Sequence, residues 1–389
     1  MNDSFDLVIV GGGLAGASLA VALRASRLSV AVVESRPPQH SEGWDARVYA
    51  VSPTNVDFLR TLGVWQHLDA ARICAVHDMA VFGDGGGRLD FSAYDSGLGE
   101  LAWILEAGLM QRELWESLKR QHNVTLLCPA VPQALSCDDG GATLTLEDGR
   151  RLRARLVVGA DGANSWVRRQ AGIEARFTPY QEMGVVANFR CGQAHRNTAF
   201  QWFRDDGILA WLPLPGNLVS MVWSTPDAHA QELLALDAAA LCERVAQAGD
   251  HALGAFELLT PAQGFALRLM RVARTVAPRM ALIGDAAHAI HPLSGHGINL
   301  GFQDARALAG VLGGLPQWRD PGELAVLRAY ARERAEEPLL MQYTTHALNR
   351  LFNTRNPLLA AARNTGLNLT NALPVVRNAL IRYAVNGRF

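Results

Sequence analysis

The chain has 389 residues, with 36 basic against 37 acidic groups and a net charge of -1, so two or three domains with a large core are expected and nothing global marks it for nucleic acid. Lys119 is the one lysine, which excludes lysine chemistry from most of the chain. The five cysteines, Cys74, Cys128, Cys137, Cys191 and Cys242, form no CxxC pair or ligand cluster; a reducing cytoplasm is expected and no metal site.

In chain order, Leu7 to Val10 is a short apolar run of the kind a buried parallel strand shows. Gly11-Gly12-Gly13-Leu14-Ala15-Gly16 follows, then a helix of small apolar residues reaching Arg24. In that setting Gly11 permits a tight turn, Gly13 lets the backbone approach a pyrophosphate, and Gly16 lets the helix lie close to the strand. The apolar stretch from Leu7 to Leu23 is therefore expected to be a strand and a helix, not a signal peptide or a membrane span. A second strand, Leu28 to Val33, ends in Glu34, where a carboxylate takes ribose hydroxyls and disfavours a 2'-phosphate. The unit suits FAD or NAD rather than NADP.

Asp45 to Ser52 offers Arg47 to a pyrophosphate, a solvated surface arginine being the plainer alternative. Leu156 to Arg168 repeats strand, turn and helix, with Asp161-Gly162 at the turn. Between the nucleotide segments, Gly184 to Arg190, Ala199 to Phe203, Ile208 to Leu214 and Leu218 to Ser224 read as strands. Arg204-Asp-Asp-Gly207 and Pro215-Gly-Asn217 supply hairpin turns of an antiparallel sheet. Trp202, Phe203, Trp211, Trp223 and Phe265 are candidates to line a pocket on that sheet, with core packing as the alternative for each, because alternate strand residues face opposite sides. Glu232 to Ala248 reads as an alanine-rich helix.

Ile283 to Asp304 reads IGDAAHAIHPLSGHGINLGFQD. An acid at the end of an apolar strand, then a proline and glycine loop entering a helix, lays backbone N–H groups beside a flavin. His288 and His291 lie close to this loop, and structural hydrogen bonding is the plainer reading of both. From Pro338 to Phe389 there is no acid and no lysine, yet six arginines, Arg350, Arg355, Arg363, Arg377, Arg382 and Arg388, alternate with apolar residues. That pattern suits an anionic membrane surface or an acidic partner, or else a helical lid whose arginines pair within the fold.

The GxGxxG with its distal Glu34, the ADGxxSxVR segment and the GDAAHxxxPxxGxGxN segment resemble the single-component FAD-dependent aromatic hydroxylases of the para-hydroxybenzoate hydroxylase type. The stretches Leu348 to Asn353, Ala362 to Leu367 and Leu373 to Arg377 are similar to the tail of the ubiquinone-biosynthesis hydroxylases. The resemblance implies an α/β fold of glutathione-reductase type. A Rossmann-like FAD-binding domain would be drawn from residues 1–72, 98–175 and 270–340, an inserted antiparallel substrate domain from 73–97 and 176–269, and a C-terminal helical region from 341–389.

It also implies a cofactor set of Gly11, Gly13, Leu14, Ala15 and Gly16, with Glu34 on the ribose, Arg47 on the pyrophosphate and Gln111 as a further contact. Asp161 would shape the floor beneath the pyrophosphate and Asp285 would take the ribityl chain; Pro292, Gly295, Gly297, Ile298 and Asn299 would edge the flavin. Where the family has GQG this chain has Gly295-His296-Gly297, which makes His296, with His291, a weak catalytic candidate.

By the same resemblance, NAD(P)H is a transient reductant and O2 a co-substrate, and a flavin C4a-hydroperoxide hydroxylates the ring of a polyprenylated phenol of ubiquinone biosynthesis at or near the inner membrane. A soluble hydroxylase of small aromatic acids, a reductase of isoprenoid double bonds, and a non-catalytic FAD-bound scaffold in a biosynthetic complex fit the same motifs.

Overall fold

The computed structural model describes residues 2–38, 43–289, 297–352, 357–378 and 381. The chain opens with β1 (Asn2–Val10), α1 (Leu14–Ala22) and β2 (Val30–Val33), the two strands pairing in parallel. Next come β3 (Val48–Val51), α2 (Pro53–Thr61), β4 (Cys74–Val76), the hairpin β5 (Asp78–Phe82) and β6 (Arg88–Ser92), and β7 (Ala102–Glu106). Strand β7 pairs antiparallel with both β3 and β4, forming a small three-stranded sheet, whereas β5 and β6 join a broader one. Residues 73–97 are thus shared between two sheets.

Helix α3 (Ala107–Lys119) leads to β8 (Val124–Leu127), which extends the parallel sheet beyond β2. The meander β9 (Pro132–Asp138), β10 (Gly141–Leu146) and β11 (Arg151–Gly159) brings β11 back, parallel, to the other side of β1, and α4 (Trp166–Gln170) follows. Strand β1 is therefore central, and its side chains are buried on both faces. Leu7 and Ile9 pack under α1 with Leu19, Leu156 and Phe302, while Val8 and Val10 pack with Leu144, Val157 and Leu282. A continuous apolar run is what a two-sided burial demands.

The broad sheet is built by β12 (Ala175–Cys191), β13 (Thr198–Arg204), β14 (Gly207–Leu214) and β15 (Leu218–Pro226), then α5 (Asp227–Ala235), α6 (Ala238–Ala248), β16 (Phe256–Leu258) and β17 (Gln263–Val272). Trp202, Trp211 and Trp223 are 5%, 0% and 0% exposed and pack with Leu233, Leu241 and Val245 of α5 and α6, so all three are core and none lines a pocket. Phe203 is on the opposite face, in a cluster with Val81, Leu89 and Ile208. Phe265, also on that face, lies flat on Gly184 and keeps 42% exposure. Alternation along each strand sorted these aromatics; their type did not.

Strands β18 (Val276–Ala277) and β19 (Met280–Leu282) return to the first sheet, β19 lying parallel to β11, and β20 (His288–Ala289) pairs with β17. Helices α7 (Gly297–Gly313), α8 (Leu324–Glu333), α9 (Glu336–Phe352) and α10 (Pro357–Ala372) follow, and residues 374–378 are again helical.

Candidate cofactor site

The loop between β1 and α1 is glycine for three different reasons. Gly11 has φ +105°, and a methyl there would overlap the Ala160 carbonyl and come within 2.8 Å of the Asp161 nitrogen. A methyl on Gly16 would overlap the Gly11 carbonyl and lie 3.0 Å from Ala160 Cβ. At Gly13, by contrast, it would meet nothing within 4 Å. Gly13 caps α1 with no side-chain acceptor, and the first turn holds no acid, so the N–H groups of Leu14 and Ala15 open onto that space. Space at Gly13 and uncapped donors beside it are what a bound phosphate requires.

Gly12 is held from both sides. Its N–H donates to Glu34 Oε2 at 2.8 Å, and its carbonyl accepts from Gln111 Nε2 and, at 2.8 Å, from Trp115 Nε1. Gln111 thus orders the loop through its amide nitrogen. Trp115, one helical turn on, shares that task, and only its spacing from Gln111 could have revealed it. Glu34 Oε1 also accepts from Ser35 Oγ and the Arg36 N–H, both at 3.1 Å. Beside it a cavity of about 350 Å³ is lined by Pro37, Pro38, Arg112, Trp115, Glu116, Lys119, Leu126 and Cys128.

The second segment abuts this loop through backbone. The Asp161 carboxylate is occupied: it accepts from Ser165 Oγ, from the Trp166 N–H at 2.6 Å and from the Val167 N–H at 3.0 Å, capping α4. The Asp161 side chain thus serves α4, and it is its backbone nitrogen that lies against Gly11. Arg168, buried, donates to Ala286 O at 2.9 Å and so ties this segment to the third one.

The third segment meets the first where Ala15 Cβ lies beneath Gly284 and Gly301; methyls there would sit 3.1 Å and 3.4 Å from it. The loop is anchored by Asp304, which is 1% exposed. Its Oδ2 accepts from the Gly284 N–H at 2.9 Å and contacts His288 Nε2 at 2.6 Å, and its Oδ1 accepts from Arg334 Nε at 2.8 Å. Arg334 continues to Glu337 at 2.6 Å. His288 is thereby assigned to structure, as its plainer reading had it. Arg334 carries no motif that would have marked it in the sequence.

Asp285 is solvent-exposed at its surface, yet protein groups crowd around its carboxylate. That crowding raises its pKa; His288 opposes the shift, Asp304 adds to it and Arg268 opposes it. Tyr49 on β3 is near enough to have its own pKa raised, first by burial, then by Asp285, with Arg47 acting oppositely. Arg47 is exposed on the same rim.

Asn299 is 2% exposed and its amide is spent within the protein. Oδ1 accepts from the Ser52 N–H at 2.9 Å and from Asn55 Nδ2 at 3.0 Å, and Nδ2 donates to Ala50 O at 2.8 Å. A flavin edge here is left the backbone of Gly297, Ile298 and Asn299 in the first turn of α7. His291, Pro292, Gly295 and His296 lie outside the described residues.

Three segments from distant parts of the sequence thus meet around the glycine loop, with Ala160 against Gly11 and with Gly284 and Gly301 against Ala15, the arrangement of a dinucleotide-binding flavoprotein. The FAD binding domain family model matches residues 4–342, and the chain belongs to that family, with FAD as its cofactor. It is 36% identical to ubiquinone hydroxylase UbiL of Rhodospirillum rubrum over 98% of this chain and 89% of that one. It is 32% identical to the 3-demethoxyubiquinol 3-hydroxylase of Escherichia coli over 99% of both. Among solved structures it is similar to PqsL of Pseudomonas aeruginosa in complex with 2-aminobenzoylacetate, with a TM-score of 0.80, 26% identity, and 94% and 99% of the two chains covered.

Proposed function

We propose that this protein is an FAD-dependent, NAD(P)H-using monooxygenase that hydroxylates the aromatic ring of a polyprenylated phenol or quinol in ubiquinone biosynthesis. The observation that carries this reading is similarity over nearly the whole chain to two hydroxylases named for ubiquinone or its precursor. Bound FAD supplies the oxygen-activating chemistry. In the net reaction one atom of O2 replaces a ring hydrogen as hydroxyl and the other leaves as water, with two electrons and one proton delivered through NAD(P)H and a second proton from solvent.

The chain's own residues bind, orient and exclude water. Gly13, Leu14 and Ala15 present N–H donors to the pyrophosphate, with Arg47 at the rim. Glu34 takes the ribose, and the cavity beyond it receives the purine. Asp285 would hold the ribityl chain, and the N-terminus of α7, from Gly297, would face the flavin ring with its positive dipole end. The substrate lies against the sheet face opposite the tryptophan core, where Val186, Ala210 and Val222 form a smooth apolar floor. We assign residues 1–72, 98–175 and 270–340 to cofactor binding and 73–97 with 176–269 to the substrate side.

Asp285→Asn keeps the shape and removes a charged acceptor. It is expected to weaken FAD binding by about one to two orders of magnitude, as loss of a hydrogen bond to a charged group does, read by flavin fluorescence titration. An unchanged affinity would remove Asp285 from the cofactor set.

The tail reading narrows. Arg363 pairs with Asp84 and Arg377 with Asp95, so the two tail arginines with described side chains serve the fold. Leu369, Leu373, Val375 and Val376 are 59%, 44%, 83% and 44% exposed, and through them the C-terminal region would rest on a lipid surface. No helix among the described residues is long and apolar enough to cross a membrane.

The test is incubation of the FAD-loaded protein with NADPH or NADH, isotopically labelled O2 and a farnesylated phenol. One labelled oxygen in the product is expected, and its absence refutes the reading. Turnover of a small aromatic acid alone would favour the second reading, a soluble aromatic-acid hydroxylase, which the likeness to PqsL supports.

A further inference from the structure

The turn between β5 and β6 contains Gly83, Gly85 and Gly87, and one side chain from the other end of the sequence blocks all three. A methyl on Gly85 would lie 2.7 Å from Asn364 Nδ2, one on Gly87 would lie 2.6 Å from its Oδ1, and one on Gly83 would overlap Oδ1. Asn364 Oδ1 accepts the Gly85 N–H at 3.2 Å and the Gly87 N–H at 2.9 Å, and its Nδ2 donates to Asp84 at 2.9 Å. Farther along α10, Asn368 accepts the Arg88 N–H at 2.8 Å and Asn371 the Asp90 N–H at 3.0 Å. Strand β6 is the end strand of the broad sheet. Its outward N–H groups, which ordinarily invite another strand, are met instead by a row of carboxamides on a helix.

The clasp secures a roof. Within helix α9, Gln342 Nε2 donates to Met270 O at 2.9 Å, and Met270 pairs with Ala289. Leu351 then packs with Phe203, Ile208, Val81 and Leu89, joined there by Leu367 of α10. The helical rise between Gln342 and Leu351 is about 13.5 Å and three strand spacings from β17 to β14 are about 14 Å, so α9 crosses the sheet on the face that carries Ala210 and Val222.

We propose that Asn364 is a positioning residue for oxygen transfer: by fastening α10 to the glycine turn, it keeps α9 seated over the substrate face and closes that space to water. The inference rests on the hydroxylase reading above. Its observable is the share of oxidised NAD(P)H that ends as hydrogen peroxide, from O2 taking two electrons and two protons, in place of hydroxylated ring.

The full-length, FAD-loaded Asn364→Ala protein is assayed with NADPH, in parallel NADH, and a farnesylated phenol. The peroxide share is expected to rise about threefold or more, with FAD content and the rate of anaerobic flavin reduction within about twofold of the parent. Gly83→Ala is expected to do the same, since its methyl meets the Asn364 and Leu367 side chains. The double variant should be no worse than the worse single, because both changes act on one contact. An unchanged peroxide share in Asn364→Ala and Gly83→Ala, or additive effects in the double variant, overturns the inference while the hydroxylase reading stands. A parent protein that yields no oxygenated ring overturns both.

Discussion

Asp304→Ala is expected to lower the free energy of unfolding by about 3 to 5 kcal/mol and to release FAD from whatever fraction stays folded. The carboxylate is the one acceptor shared by the Gly284 N–H, His288 and Arg334, and at 1% exposure no solvent replaces it. Removing it leaves an arginine buried without its main counter-charge and unpins the turn that presents Asp285. Urea unfolding read by tryptophan fluorescence, with flavin absorbance after gel filtration, measures both effects. A loss under about 1 kcal/mol would show that the network is incidental.

The same pair sets a pH dependence. Burial opposes charge on His288, but the charge and hydrogen bond of Asp304 hold its pKa above the ordinary 6.5. Burial likewise opposes ionisation of Asp304, and His288 and Arg334 hold its pKa below the ordinary 3.8. The histidine's contribution is complete below pH 6.5 and is lost as pH rises through its folded value; the aspartate's is complete above pH 3.8 and is lost as pH falls through its own. The stability gap between parent and Asp304→Ala should therefore shrink as pH rises above 6.5 and through the raised folded value of His288.

Gly11→Ala and Gly13→Ala are expected to fail in different ways. At Gly11 the methyl meets the Ala160 carbonyl and the backbone is at φ +105°, so about 3 kcal/mol or more of stability should be lost along with the cofactor. At Gly13 the methyl meets nothing within 4 Å, so the apoprotein should melt like the parent while FAD affinity falls at least about tenfold. Differential scanning fluorimetry of apoprotein and flavin titration separate the two. Full FAD affinity in Gly13→Ala would move the pyrophosphate away from this loop.

Much of this architecture was legible in the residues. The glycine loop and the alternating strands carry local physical constraints that leave a mark in short stretches. What escaped was the direction of individual side chains. Asp161 and Asn299 lie within the cofactor motifs, yet their polar atoms cap α4 and bind the segment around Ser52, because a buried amide or carboxylate is taken by the nearest backbone groups once the fold closes. The tryptophans of β13, β14 and β15 are indistinguishable from pocket residues until helices α5 and α6 cover one face. For the arginines of the tail, a membrane face and pairing within the fold are equally open readings of the sequence, because the partners Asp84 and Asp95 are some 280 residues away. The asparagines of α10 gave no periodic signal of their own; only the glycines they meet explain them.

Strand β1 has a consequence for how the protein acquires its cofactor. It is made long before β11, which completes its flank, and before Ala160, on which its loop rests, while Ala15 packs against Gly284 and Gly301, made later still. Translation supplies roughly 5 to 20 residues each second, so the amino-terminal glycine loop remains unsupported for many seconds while its partners are still on the ribosome. The contacts that order the cofactor loops are therefore complete only after Asp304 and Arg334 emerge. A nascent chain stalled anywhere before that point would present an unfilled nucleotide loop to chaperones, however intact its opening motif.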